Sequence, residues 1–140
     1  MHHQSFLRYA AVALACSVWA FSSGDTFAGQ KFTTGAVTIL SADPSGPPRA
    51  FGSIGGARNS SDSVQQIGCS SSFDGTNHSG TCTAKGAGGT VLTCATTNPT
   101  FIAQIRSISS QSSISFGVST TGGCSGIGIG VSSGNDVPVN

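Results

Sequence analysis

The sequence predicts an α+β domain: a small antiparallel β-sheet with one helix, stapled by disulfides. Three observations carry that reading. Apolar residues alternate with period two on both sides of a single stretch of helical period. The order strands, helix, strands suits a helix laid on an antiparallel sheet. Four cysteines follow a segment with the layout of an export leader. The chain has 140 residues, a length that suits one domain.

The N-terminus reads first as an address. Met1 to Arg8 is short and polar, Tyr9 to Phe21 is a 13-residue apolar run, and Ser22 to Ala28 is small and polar. A cut before Gly29 places Thr26 and Ala28 at the minus-three and minus-one positions. That is a secretory signal peptide over residues 1–28. Residues 29–140 are then a single small domain with a flexible N-terminal lead-in. A buried N-terminal helix and a lipoprotein cut before Cys16 are the rivals. The apolar run is too short to span a membrane. It also continues past Cys16, and Ala13-Leu14-Ala15 does not place a Leu at minus three.

The elements follow in order. Ala36 to Leu40 is a β-rich run bounded by Gly35 and Asp43-Pro44. Ser45 to Ala57 carries Gly46, Pro47, Pro48, Gly52, Gly55 and Gly56 and reads as a loop or irregular edge. Ser63 to Cys69 alternates at Gln65, Ile67 and Cys69, a half-buried strand. Ser70 to Gly80 holds Asp74-Gly75 among small polar residues and reads as an exposed loop. Thr81 to Lys85 and Thr90 to Ala95 are strands about a reversal at Gly86, Gly88 and Gly89. Asn98 can cap a helix and Pro99 suits its first position. Phe101, Ile102, Ile105 and Ile108 then mark one face of a helix over Pro99 to Ser110. Ile114, Phe116 and Val118 alternate with small residues, as do Ile127, Ile129 and Val131, so a hairpin closes the chain.

Cys69, Cys82, Cys94 and Cys124 read as two disulfides. A structural zinc site wants close pairs such as CxxC, and these spacings do not supply them. Three pairings are open. Cys69–Cys82 and Cys94–Cys124 are preferred because each staples one local unit. The first closes the 70–81 loop; the second ties the helix and the last hairpin to the sheet. Chain-entropy arithmetic gives them roughly 3 and 3.6 kcal/mol. The core they support is thin, since 52 of the 112 residues from Gly29 onward are Ser, Thr or Gly.

Composition narrows the function. Charged residues are 8% of the chain and the formal net charge is +1, so no basic surface exists to follow a nucleic-acid backbone. From Gly29 onward His78 is the only histidine and the four acids are scattered Asp residues. A glycosidase pair or a catalytic metal set is not apparent, and no cofactor motif of the GxGxxG or GK[ST] kind occurs. A hydrolase would have to use His78 as its base, with Asp74 near it in sequence. The Gly126, Gly128, Gly130 stripe reads as a place for close approach of another element, or as a flat docking face.

The stretch Gly52 to Cys69 (GSIGGARNSSDSVQQIGC) and the closing SSISFGVSTTGGCSGIGIGV together resemble small exported bacterial proteins of uncharacterised role. The most specific elements are Ala57-Arg58-Asn59-Ser60, Gln66-Ile67-Gly68-Cys69 and Ser112 to Phe116. The resemblance implies a bacterial exported domain with four cysteines. It brings no activity.

The expected function is a non-enzymatic exported module for binding or envelope and surface structure, secreted or periplasmic. Its partner would be an extracytoplasmic protein or glycan met through hydrogen bonds and shape. It would take no nucleic acid, and its mature form would have no membrane span. A disulfide-stapled inhibitor or effector presenting the 70–81 loop is the alternative, and a small hydrolase using His78 the third reading.

Overall fold

The computed structural model describes residues 36–132 together with 134 and 135. The expected leader and lead-in lie outside the described residues. Seven strands and two helices follow in the order β1 (Thr38–Leu40), β2 (Arg49–Ser53), α1 (Ile54–Arg58), β3 (Gln66–Phe73), β4 (His78–Lys85), β5 (Val91–Thr96), α2 (Pro99–Arg106), β6 (Ser112–Val118) and β7 (Cys124–Val131). They make two antiparallel sheets rather than one. The first has strand order β1-β2-β6-β7 and the second β3-β4-β5. The helices contribute five and eight residues, so the α+β class holds with a small helical share.

The core lies between the sheets. On the first sheet, Ala50, Ile114, Phe116 and Ile127 point inward; on the second, Ile67, Cys82, Ala84 and Cys94 do so. Strand period two puts these residues on one face and leaves their neighbours on the other. Helix α2 closes the end of the second sheet through Ile102 and Ile105. Gly80 on β4 makes room for it, since a Cβ there would stand 2.7 Å from Ile105 Cδ1.

Both ends of α2 are set locally. The Asn98 side chain accepts from the Thr100 N–H at 2.9 Å, and Pro99 occupies the first turn. At the far end the Ser107 N–H and hydroxyl both return to the Gln104 carbonyl. The helix therefore stops at Arg106, four residues short of the expected Ser110. No described helix is long and apolar enough to cross a membrane.

Two segments expected as loops are also corrected. The Ser45–Ala57 loop contains an interior strand, β2, and the short helix α1. Pairing with β1 on one side and β6 on the other overrides the loop-forming composition. The glycine there serves the packing: a Cβ on Gly52 would meet Val37 Cα at 3.2 Å. Ser53 then caps α1 by accepting from the Gly56 N–H at 3.0 Å.

The Ser70–Gly80 loop is instead the end of a hairpin. β3 and β4 pair in register from Gln66↔Lys85 to Phe73↔His78, and only residues 74–77 turn. Serines far from the core can hold a strand because the ladder satisfies their backbone groups. The disulfides join Cys69 to Cys82 and Cys94 to Cys124, the preferred pairing. The first links residues directly opposite each other on β3 and β4, so it rivets a hairpin rather than closing a loop.

Candidate functional site

The register builds a distinct outer face on the first sheet. One cross-strand row runs Thr38, Phe51, Ser115, Gly128; the next runs Leu40, Arg49, Gly117, Gly126. Phe51 and Arg49 rise from β2, whereas β6 and β7 present only serine and glycine. The result is a shelf two strands wide, walled by Phe51 and open along β7. Phe51 is 43% exposed although it stands in an interior strand. Hollows of about 580 Å³ and about 430 Å³ lie on either side of it. The first reaches Thr38, Ser113 and Gly130; the second reaches Arg49, Gly117 and Gly126.

The glycine stripe owes its low floor to serine. The Ser113 hydroxyl donates to the Gly130 carbonyl at 3.2 Å, and the Ser115 hydroxyl to the Gly128 carbonyl at 3.5 Å. Those oxygens fill the space that side chains on β7 would need: a Cβ on Gly128 or Gly130 would come within 2.7 or 2.8 Å of them. Gly126 faces open space. The expected close approach is thus made by hydroxyls of the adjacent strand, not by a helix or a second backbone. Arg49 is the only charged side chain in these rows, so the shelf is nearly neutral.

The second concavity lies at the tip of the β3–β4 hairpin, where it meets α2. His78 lies against Phe73 with ring centroids 4.5 Å apart and planes tilted by 35°. Arg106 Nη2 donates to His78 Nδ1 at 2.8 Å. A hollow of about 550 Å³ beside them is lined by Thr76, Asn77, Pro99 and Ala103 among others.

Asp74 does not orient the imidazole. Its Oδ1 accepts from the Thr76 and Asn77 N–H groups at 2.9 and 2.7 Å. Those bonds, the Asn77 one foremost, hold its carboxyl below the usual carboxylate range. The tip places a guanidinium, an imidazole and an aromatic ring side by side and leaves the carboxylate to shape the turn. Among the described residues, no three His, Cys, Asp or Glu side chains gather into a metal site.

Phe51 lies in Ser45–Ala57, a segment whose proline and glycine content predicts a loop. The strand signal was present in Arg49-Ala50-Phe51-Gly52-Ser53, where large and small residues alternate. No family model matches the chain, and no curated protein or solved structure is significantly similar to it.

Proposed function

We propose that the protein is an exported, non-enzymatic binding module whose recognition face is the shelf beside Phe51. The observation that carries this is an exposed aromatic ring on a rigid sheet, with a hollow on each side and a floor of serine and glycine. An aromatic ring supplies contact area with few rotatable bonds, and a preformed surface loses little entropy on binding. The partner is an extracytoplasmic protein or glycan, met by shape and hydrogen bonds. The chain is proposed to act in the periplasm or outside the cell, as the leader layout of residues 1–28 suggests. Two disulfides fit such an oxidising compartment.

Binding of the mature protein to isolated cell-envelope polymers tests the reading. Phe51→Ala is expected to weaken binding at least tenfold, and raising the salt to 0.5 M to change it little. Binding that disappears at moderate salt, or that survives Phe51→Ala unchanged, rejects the shelf.

The hairpin tip favours one alternative. Phe73, His78 and Arg106 form a compact aromatic and cationic end on a disulfide-riveted hairpin, a shape suited to an inhibitor or effector. A protease panel separates the two: inhibition lost in Phe73→Ala but kept in Phe51→Ala selects the tip. A hydrolase using His78 is tested in the same preparation, where His78→Ala would abolish its activity.

A further inference from the structure

The four cysteines stand in series across neighbouring strands. Cys69 is directly opposite Cys82 on β3 and β4, and Cys82 is directly opposite Cys94 on β4 and β5. Beyond β5 the chain entering β7 is joined by the parallel bridge Ala95↔Gly123, beside the Cys94–Cys124 bond. Directly opposed residues on antiparallel strands project to the same face, with Cβ atoms about 4.5–5.5 Å apart. The sulfurs therefore run 69, 82, 94, 124, bonded in outer pairs with one gap between Cys82 and Cys94. Exposure is graded along the row. Cys82 and Cys94 are 0% and 1% exposed, whereas Cys69 and Cys124 are only partly buried.

We infer that the two disulfides form one thiol-exchange relay, in which a thiol that attacks either outer cysteine releases the thiol of the other. The co-reactant is a small thiol such as glutathione, or a protein-borne one. Its thiolate attacks the Cys69 sulfur, forms a mixed disulfide there and breaks the bond to Cys82. The electron pair leaves on Cys82, buried where a charged sulfur is poorly solvated. Cys94 is its neighbour in the row, with Cys124 behind it as leaving group. The Cys82 thiolate attacks the Cys94 sulfur, a Cys82–Cys94 bond forms, and the Cys94–Cys124 bond breaks. The electron pair passes to Cys124, which takes a proton from solvent at its partly exposed position. One disulfide forms for each that breaks, so no oxidant is consumed. The thiolate moves from a buried site to a partly exposed one, and the start of β7 loses its covalent tie to β5. Entry at Cys124 runs equivalent steps in the opposite direction along the row: Cys94 is released, attacks the Cys82 sulfur and frees Cys69.

The oxidised mature protein, held in native buffer with limiting glutathione and quenched with N-ethylmaleimide, tests this. Trypsin cuts after Arg58, Lys85 and Arg106, so residues 59–85 carry Cys69 and Cys82, 86–106 carry Cys94, and 107–140 carry Cys124. The expected early product joins 59–85 to 86–106, with glutathione on one outer cysteine and maleimide on the other. Maleimide on Cys82 or Cys94, with the untouched native bond still in place, overturns the relay. Exchange that occurs only in denaturant overturns it too. Two variants give a second readout: Cys69→Ser is expected to show Cys124 as its free thiol, and Cys82→Ser to show Cys69 with Cys94–Cys124 intact. Maleimide found only on Cys82 in Cys69→Ser counts against the proposal. The wild-type time course decides alone if either variant fails to fold.

Discussion

Single side chains set several of the molecule's properties. Phe51 is held upright by strand pairing and takes little part in the core. Its truncation is therefore expected to weaken the proposed binding while shifting the melting temperature by no more than a few degrees, as thermal unfolding by circular dichroism would show. Gly52 is the opposite case. Its missing Cβ lets β2 approach Val37, so Gly52→Val should destabilise by about 1–3 kcal/mol in urea titration. Asp62 gives a pH signature. Its carboxylate accepts from the Val64 N–H, the Gln65 side chain and the Gln65 N–H, and its pKa falls from 3.8 to about 2. A depressed folded pKa contributes stability above the unfolded value, and that contribution is lost as pH falls through the folded one. Acid titration of Asp62→Asn should show a shallower loss of stability between about pH 4 and pH 2 than the wild type.

At the scale of elements, helix α2 was legible and the two corrected segments were not. Asn98, Pro99 and the Ile102–Ile105 spacing act through local capping and one apolar face, which a sequence displays directly. Asn98→Ala should cost about 1 kcal/mol, measured as a lower urea midpoint with an unchanged slope. The last hairpin was legible for a similar reason, because Ile114, Phe116, Ile127 and Ile129 alternate openly. The β2 segment hides its pattern behind small inward residues, Ala50 and Gly52, which carry little hydropathy. In the outer half of the β3–β4 hairpin, from Ser70 to Ser79, most side chains face water, so no alternation marks the strands. Their order comes from backbone pairing and from the Cys69–Cys82 bond, and only a partner strand reveals it.

The whole molecule has a thin core between two small sheets. Among the described residues, Phe116 is the only aromatic side chain in its buried core. The disulfides consequently carry a large share of stability. Their combined chain-entropy value is comparable to the total of about 5–15 kcal/mol for an ordinary domain. Full reduction is expected to unfold the chain or lower its melting temperature by tens of degrees, followed by circular dichroism with and without a phosphine reductant. A reduced protein with an unchanged melting temperature would show that the apolar core suffices alone.

By itself the sequence determined what local chemistry can write: the capped helix, the last hairpin, the α+β class, a preference among the cysteine pairings and the scarcity of charge. The tertiary structure decided what depends on residues distant in the chain. It split the strands into two sheets, put β2 between β1 and β6, and raised Phe51 above a serine and glycine floor. It also set four sulfurs in one row. Those outcomes rest on register between strands up to tens of residues apart. Register is fixed by which faces are buried together, and a linear pattern of small residues does not record it.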